Sequence, residues 1–310
     1  MKVVVTGGAG FIGANLCRAL VAAGVEVVVL DDLSSGRRDN LDPTDVRLVE
    51  GTILDREALD AAFDASDAVV HLAARPSVPR SIADPMASHV ANATGTVEVL
   101  EAARRAGDPL VVVASSSSVY GANPTLPKHE QLATRPLSPY AASKLATEAY
   151  ALAWQHSYGL PVLAFRFFNV FGPLQPPDHA YAAVVPAFVS AALDGRPLTV
   201  HGDGRQSRDF TFVDTVASVL TAAVCRRVTE PDPVNLAYGS RVDLLEVIAL
   251  LESIVGHRLA VEHVEARPGD VRHSSADDHK VRELFPEVEP VPLEQGLRAT
   301  VDWMAARSGP

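Results

Sequence analysis

Residues 2–13 read KVVVTGGAGFIG, and this stretch decides the fold. Lys2 to Val5 is an apolar, β-branched run that predicts a buried strand, and a helical pattern continues after the stretch to about Ala23. Between them lies a G-x-x-G-x-x-G pattern formed by Gly7, Gly10 and Gly13. Glycines at this spacing let a diphosphate approach main-chain N–H groups at the positive end of a helix. The stretch therefore predicts a dinucleotide-binding unit.

The second predicted strand, Glu26 to Leu30, ends in two carboxylates, Asp31 and Asp32. A carboxylate here accepts hydrogen bonds from the ribose hydroxyls of adenosine and repels a 2′-phosphate, so the sequence favours NAD over NADP. Two nearby arginines favour NADP instead, because arginine can accommodate that phosphate. These residues, Arg37 and Arg38, are also explained by a solvated loop.

Short apolar runs alternate with helical patterns along the next part of the chain. The runs that predict strands are Ala68–Leu72, Leu110–Ala114 and Val162–Phe165. This alternation indicates an α/β fold with a parallel, doubly wound sheet of the Rossmann type. Ligands bind at the carboxyl ends of such strands, so three segments are expected to face one crevice: Leu72 to Arg75, Ser115 to Ser118, and Phe167 to Asn169.

The pattern becomes irregular and rich in proline after about residue 166. We interpret this change as a smaller α/β subdomain that binds substrate. The Rossmann domain is then expected to comprise residues 1–165 with about 205–235, and the subdomain residues 166–204 and 236–310.

Composition limits the classes of function. The chain has 310 residues, is 47% hydrophobic and carries a net charge of −11, which argues against a nucleic-acid partner. Neither of the two cysteines, Cys17 and Cys225, lies in a redox or metal-binding motif, so no metal is predicted. No apolar stretch is long enough to span a membrane, and Met1 leads directly into a core strand. We expect a cytoplasmic enzyme without a membrane partner.

The segment SPYAASK, residues 138–144, places Tyr140 and Lys144 four residues apart. In a helix this spacing puts the phenol and the ammonium on one face. A nearby cation stabilises a phenolate and lowers the pKa of the phenol, which would make Tyr140 a general base. The helix is expected to start after Ser138 and to end at Gly159. Chance spacing of a tyrosine and a lysine is the alternative.

Seven motifs, in order along the chain, resemble those of the extended short-chain dehydrogenase/reductase superfamily, in its nucleotide-sugar epimerase branch typified by UDP-glucose 4-epimerase. They are Thr6–Gly13 (TGGAGFIG), His71–Ala74 (HLAA), Ser115–Gly121 (SSSSVYG), Tyr140–Lys144 (YAASK), Arg166–Gly172 (RFFNVFG), Arg208–Phe210 (RDF) and Arg267–Asp270 (RPGD).

The resemblance implies roles for individual residues. Tyr140 would be the catalytic base, Lys144 would lower its pKa and bind the nicotinamide ribose, and Ser116 would bridge the sugar O4 and the tyrosine. NAD is the implied cofactor. The implied cofactor contacts are Gly7, Gly10, Phe11, Ile12, Gly13, Asp31, Asp32, Ser35, Gly36, Thr52, Ile53, Leu72, Ala73, Ala74, Tyr140, Lys144 and Phe167. Thr52 departs from the family, in which an aspartate usually holds the adenine amine.

The resemblance also implies a UDP-sugar substrate. Arg208 and Arg267 would clamp the diphosphate, Asp270 would accept the uridine ribose hydroxyls, and His201 would stack on uracil. Surface salt bridges are the alternative explanation for the charged residues among these. The full set of implied substrate contacts is Val78, Ser116, Ser117, Ser118, Asn169, Val185, His201, Arg208, Arg267, Asp270 and Ser274.

The implied reaction follows from what stands beside Ser116. Relatives that eliminate water carry an acidic pair where this chain has Ser117 and Ser118, so we expect C4 epimerisation through a transient 4-keto sugar. Asn169 and Pro176 depart from the pattern of glucuronate 4-epimerases and favour a neutral hexose. Ser274 would leave the pocket open to N-acetylhexosamines.

Three alternatives stay open: a UDP-glucuronate 4-epimerase or decarboxylase, a 4-ketosugar reductase, and a catalytically dead NAD-binding regulator. The resemblance and the amphipathic patterns near His89–Arg105 and Pro139–Ser157 further predict a homodimer joined through a four-helix interface.

Overall fold

A computed structural model describes residues 1–42, 44–177, 183–265 and 272–308. The strands in these ranges are β1 Lys2–Thr6, β2 Glu26–Asp31, β3 Arg47–Glu50, β4 Ala68–His71, β5 Leu110–Ser116, β6 Val162–Phe167, β7 Asn169–Phe171, β8 Leu198–His201, β9 Ser207–Arg208, β10 Phe210–Phe212, β11 Val234–Leu236, β12 Val242–Asp243 and β13 Val261–Val264.

Helices separate most of these strands. They are α1 Phe11–Ala22, α2 Arg56–Phe63, α3 Val78–Ala83, α4 Pro85–His89, α5 Gly95–Arg105, α6 Pro139–Tyr158, α7 Val184–Leu193, α8 Val213–Cys225, α9 Leu244–Val255, α10 His279–Leu284 and α11 Leu293–Ser308. Val90–Thr94, between α4 and α5, is π-helical, and Arg38–Asn40 and Ser117–Tyr120 form 3₁₀ turns.

The central sheet has seven strands in the order β11-β6-β5-β4-β1-β2-β3, and every pairing in it is parallel. Helices cover both faces. Val3 and Val5 of β1 belong to the core that includes α1 and α8, whereas Val4 belongs to the core that includes α2 and α5. The predicted doubly wound sheet is confirmed.

Two strands of this sheet escaped prediction. β3 has the sequence RLVE and lies at one edge, where charged residues break the apolar run, and β11 at the other edge has only three residues. Edge strands need less continuous apolar sequence than central ones, because one side of each has no neighbouring strand.

A separate apolar cluster lies mostly in the part of the chain that was predicted to form the subdomain, but it also includes Phe210, Phe212 and Val213, which were predicted to belong to the Rossmann domain. It joins α7, α9 and α11 with β8 and β10, through residues such as Phe188, Leu251 and Leu297. β8 pairs with β13 in a small sheet of its own. The domain boundaries themselves stay a prediction.

The long helix α6 begins and ends as the sequence predicts. The Ser138 hydroxyl accepts a hydrogen bond from the Ala141 N–H at 3.1 Å, Pro139 occupies the first turn, and Gly159 ends the helix in the left-handed conformation with φ 73°. These caps determine where Tyr140 lies, because it is in the first turn of α6.

Candidate active site

The carboxyl ends of the central strands open into a cavity of about 460 Å³. Its lining includes members of all three segments predicted to face one crevice: Leu72 to Ala74, Ser115 and Ser116, and Phe167 and Phe168. The glycine loop lines the same cavity, as do Tyr140 and Lys144. One cavity therefore joins the predicted dinucleotide loop to the predicted catalytic residues.

The glycine loop is a close-packed cradle. Gly7 has φ +71°, and a Cβ on it would lie 2.7 Å from the Ala73 main-chain nitrogen. A Cβ on Gly13 would lie 2.3 Å from the Gly7 carbonyl oxygen. The N-cap of α1 is Gly10, which has no side chain to occupy the first N–H groups of the helix, so these groups can bind a ligand. These features fit a dinucleotide diphosphate.

Asp31 fits the adenosine ribose of NAD. This carboxylate lines the cavity and is 7% exposed; it accepts hydrogen bonds from the N–H groups of Ala9 and Leu33, both at 2.9 Å. Burial raises its pKa above the ordinary value. Arg38 instead pairs with Glu50 on the surface, as expected for a solvated loop. This arrangement agrees with NAD as the cofactor.

Ser116 and Tyr140 both line the cavity, and the Ser116 hydroxyl is close enough to the phenol to lower its pKa. Ser116 Oγ also accepts hydrogen bonds from Ser118, whose N–H and hydroxyl lie 3.2 and 2.9 Å away. Because these two bonds use Ser116 as an acceptor, its own proton is available to Tyr140. The pair can therefore hold or move one proton.

The expected effect of Lys144 on the phenol differs from what the structure gives. Burial raises the pKa of Tyr140, whereas the nearby Ser116 hydroxyl lowers it by a smaller amount. Lys144 is 6% exposed, and burial lowers the pKa of this ammonium to about 8. Desolvation has this effect because it destabilises the charged form of each group.

His71 lies beneath Lys144 in a layer of buried hydroxyls. Its Nδ1 is 2.7 Å from Thr6 Oγ1, and its Nε2 is 3.2 Å from Thr96 Oγ1. Burial, with a smaller effect of the Lys144 charge, lowers the pKa of His71 to about 3. A neutral imidazole there links the strand that precedes the glycine loop to α5, and it adds no second charge beside Lys144.

Asn92 was not predicted, and it holds the loop that follows β4. Its side-chain oxygen accepts from the Arg75 N–H at 2.7 Å, and its amide nitrogen donates to the Arg75 carbonyl at 3.2 Å and to Ser143 Oγ at 2.9 Å. The residue lies in the π-helical segment, an irregularity that often marks functional sites. Nothing in the sequence pattern announces that irregularity.

The predicted site residues divide into three groups. Those that line the cavity are Gly7, Gly10, Phe11, Ile12, Gly13, Asp31, Ser35, Leu72, Ala73, Ala74, Ser116, Tyr140, Lys144 and Phe167. Those outside its lining are Asp32, Gly36, Thr52, Ile53, Val78, Ser117, Ser118, Asn169, Val185, His201, Arg208 and Ser274. Arg267 and Asp270 lie outside the described residues. The individual ligand contacts stay predictions.

Three members of the second group meet beside the cavity around residues 207–209. The Asn169 amide donates to the Asp209 carbonyl at 3.1 Å, and the Ser274 N–H donates to the Ser207 carbonyl at 3.0 Å. Arg208 donates to the Ser207 carbonyl at 2.9 Å and to the Arg272 carbonyl at 3.2 Å. The fold thus brings together residues predicted to hold one substrate.

Arg80 also lines the cavity and was not predicted. Its natural partner, Asp84 one helical turn later, is engaged elsewhere: it accepts from Arg75 at 3.3 Å and from the Ala87 N–H at 3.0 Å. Within the described ranges the Arg80 guanidinium has no ion-pair or hydrogen-bond partner. Ser77, which starts this helix, has the strained φ of 98°. The only sequence signal was proximity to the end of β4.

The described part of the chain contains no group of three or more His, Cys, Asp or Glu residues placed to hold a metal ion. Likewise, none of the helices described here is both long and apolar enough to cross a membrane. The cytoplasmic location stays a prediction.

Comparisons with known proteins agree with this geometry. Residues 3–237 match the model of the NAD dependent epimerase/dehydratase family. The chain is 38% identical to a UDP-glucose 4-epimerase of Mycolicibacterium smegmatis, with 99% of this chain and 100% of that protein covered. It is 32% identical to a UDP-glucuronate 4-epimerase of Thermodesulfobacterium geofontis, covering 97% and 95%.

A solved structure is similarly close. It is the UDP-N-acetylglucosamine 4-epimerase from Methanobrevibacter ruminantium in complex with UDP-N-acetylmuramic acid. The two folds superpose with a TM-score of 0.93 at 35% identity, over 99% of this chain and 98% of the other.

Proposed function

Because the chain belongs to the NAD dependent epimerase/dehydratase family, we propose that it epimerises C4 of a UDP-activated hexose through a transient 4-keto sugar. The observation that carries the proposal is that Ser116, Tyr140 and Lys144 line the same cavity as the glycine loop, with Ser116 close enough to Tyr140 to lower the pKa of the phenol. The relatives named above act on different UDP-sugars, so the sugar is argued below from this chain's own residues.

NAD, when bound, supplies the group that accepts hydride from C4 and returns it. The residues of the chain do the rest. The glycine loop and Asp31 would hold the dinucleotide, and Lys144 would donate to its nicotinamide ribose. Tyr140 would take the O4 proton as C4 is oxidised and give it back on reduction, while Ser116 keeps that proton within a hydrogen bond.

The scarcity of acidic groups in the described cavity lining argues against dehydration. Elimination of water needs an acid for the leaving group, and in the described lining Asp31, at the glycine-loop end, is the only carboxyl group. Ser117 and Ser118 stand beside Ser116 where an acid would be needed. A neutral UDP-hexose, with UDP-N-acetylhexosamines admitted past Ser274, is the proposed substrate.

The route of the hydrogen is the direct test. Purified protein incubated separately with UDP-glucose, UDP-N-acetylglucosamine and UDP-glucuronate is expected to give the C4 epimer of at least the first. Deuterium placed at C4 should stay in the product, with no net accumulation of NADH, because the same hydride returns. Loss of deuterium to solvent would exclude direct return. Stoichiometric consumption of added NADH would identify a 4-ketosugar reductase instead.

Arg80 favours a second candidate, an epimerase of sugars that carry a carboxylate. A partnerless guanidinium in the catalytic cavity suits a carboxylate, which it can bind through two hydrogen bonds. Asn169 and Pro176 instead favour a neutral sugar. The two candidates therefore differ in whether the pocket binds a sugar with a carboxylate or one without.

Substitution of Arg80 separates these candidates. If a sugar carboxylate binds there, Arg80→Gln should lower kcat/KM for UDP-glucuronate at least about tenfold, since a hydrogen bond to a charged group is lost, and should change UDP-glucose turnover less than about twofold. The exposed Arg135, which is not in the cavity lining, gives the control Arg135→Gln. Equal loss on both sugars would mean that Arg80 does not discriminate between them.

A homodimer is the proposed assembly. An apolar stripe at four-residue spacing crosses α3 and α4, in which Ile82 and Met86 are 65% and 67% exposed, and α6 beside it exposes Tyr150 and Tyr158. Faces of this kind are usually covered by a partner. Light scattering at micromolar concentration should give twice the chain mass of 32.9 kDa, and Met86→Glu should give the monomer. A wild-type monomer would contradict this proposal.

A further inference from the structure

A buried ion pair lies directly behind the catalytic residues. Arg166 on β6 binds Glu148 on α6 through two hydrogen bonds, Nε to Oε2 at 2.9 Å and Nη2 to Oε1 at 2.7 Å. Their side chains are 4% and 5% exposed. The guanidinium also lies 4.7 Å from the ring centroid of Tyr120 and donates to the Glu130 carbonyl at 3.1 Å. Both charges are thus fully engaged, and neither is available to a ligand.

Ser115 connects this ion pair to the third structural element, β5. Its hydroxyl oxygen is 2.8 Å from Glu148 Oε2 and 3.3 Å from the Lys144 carbonyl oxygen, and it donates its proton between them. Ser115 and Arg166 are also opposite each other in the pairing of β5 with β6. The ends of two strands and one face of α6 are therefore tied together at a single carboxylate.

The catalytic groups are the immediate neighbours of this network. Ser116 follows Ser115 on the strand, Lys144 lies one helical turn before Glu148, and Tyr140 lies two turns before it. A rotation or slide of α6 against β5 would move the Tyr140 phenol relative to the Ser116 hydroxyl. The network resists that motion because separating a buried, doubly bonded ion pair is strongly unfavourable.

We propose that Ser115, Glu148 and Arg166 are positioning residues that hold the Ser116 hydroxyl in hydrogen-bonding register with Tyr140. This inference rests on the proposed function only for the assignment of Tyr140 as the base. None of the three needs to touch the substrate. Their effect is transmitted through the distance between a strand end and a helix face, which sets how well the phenolate form of Tyr140 is stabilised.

The other charged or titratable groups that line the cavity or lie beneath it must stay constant in the test. They are Lys144 on α6, His71 on β4, Arg80 on α3 and Asp31 on β2. Ser115→Ala changes none of them, and it keeps the two bonds between Glu148 and Arg166. It removes only the hydroxyl that joins β5 to the carboxylate.

The test measures the ionisation of Tyr140 directly. Ultraviolet titration of tyrosinate, as the difference between each protein and the same protein with Tyr140→Phe, reports this one phenol without substrate. Ser115→Ala should raise the pKa of Tyr140 by about one unit, and the acid limb of kcat/KM against pH should move up equally, which is about a tenfold loss on that limb. Ser115→Thr, which restores a hydroxyl, should reverse most of the shift.

Two further variants distinguish a positioning role of the network from a purely structural one. Thr300→Val removes another buried hydroxyl, which donates to the Gly296 carbonyl at 2.7 Å on α11, so it should lower stability without moving either titration. Glu148→Asp retracts the carboxylate by one carbon and should shift the titration in the same direction as Ser115→Ala. Lower stability of Ser115→Ala with an unchanged tyrosinate titration and pH profile would overturn the proposal, because the network would then be only structural. If the wild-type protein is inactive on every UDP-sugar, the proposed function is wrong. The tyrosinate titration would still test the positioning role, because it needs no substrate.

Discussion

Tyr140→Phe is expected to fold normally and to lose at least about a hundredfold in kcat, the usual scale for removal of an acid–base group. The variant keeps the ring and deletes only the hydroxyl that lies beside Ser116. Folding should not suffer, because burial already disfavours the ionised phenol. The measurements are kcat with UDP-glucose at saturating NAD and the thermal unfolding midpoint.

Tyr150 provides a matched control for this experiment. It lies on the same helix, is 41% exposed and is absent from the cavity lining. Tyr150→Phe should leave both the turnover and the unfolding midpoint almost unchanged. If Tyr140→Phe retains most of its activity, this tyrosine is not the base. The Ser116 hydroxyl would then lack the proton acceptor that the proposed mechanism gives it.

Lys144→Met is expected to lose about a hundredfold in activity while gaining stability. The activity falls because the proposed donor to the cofactor ribose is lost, and with it the only cation that lies one helical turn from Tyr140 on α6. Stability rises because the ammonium is buried, which lowers its pKa from 10.5 to about 8 in the folded protein. That depression corresponds to a penalty of about 3 kcal/mol at neutral pH, which a methionine does not carry.

The stability difference between Lys144→Met and wild type should depend on pH, and the lysine pKa fixes the direction of that dependence. Below about pH 8 the lysine is protonated in both the folded and the unfolded chain, so the full penalty is present. As pH rises from about 8 to 10.5, the folded protein releases this proton before the unfolded chain does, and the penalty disappears. The excess stability of Lys144→Met over wild type should therefore be constant up to about pH 8 and shrink above it.

Lys128 is the control for this substitution. It is 4% exposed, burial likewise lowers its pKa, and its ammonium donates to the Asn123 carbonyl away from the cavity lining. Lys128→Met should keep its activity. A Lys144→Met protein that is less stable than wild type at pH 7 would show that the lysine stabilises the fold through its contacts by more than its desolvation costs.

Much of the fold could be predicted from the sequence because its signals are local. The strand, glycine turn and helix of residues 2–23 lie within one short stretch, and the caps of α6 involve residues three or four apart. The segments at the strand ends could also be assigned to one crevice, because parallel strands point their carboxyl ends the same way. β3 and β11 could not, since charged residues flank the short apolar run of β3 and β11 has only three residues, so neither shows the long apolar run of a central strand.

The candidate site, like the fold, could be predicted only where its signals are local in sequence. Residue types and spacing singled out Tyr140 and Lys144, because a phenol and an ammonium at helical spacing are a pattern within one segment, and the family resemblance added Ser116. The direction of the Tyr140 pKa, the freedom of Arg80 and the neutral His71 did not follow from any spacing. Each depends on how much water the packed chain excludes and on which partner a competing residue has already taken.

The sequence by itself determined the class of fold and predicted the nucleotide loop and the candidate catalytic pair, Tyr140 and Lys144, since these depend on neighbours along the chain. Only the tertiary structure decided how they work together. Ser115, Glu148 and Arg166 are up to 51 positions apart, and no pattern connects them until two strands and a helix pack. Burial, ion pairing and hydrogen-bond competition are properties of that packing, and they set the charge state of each group in the cavity.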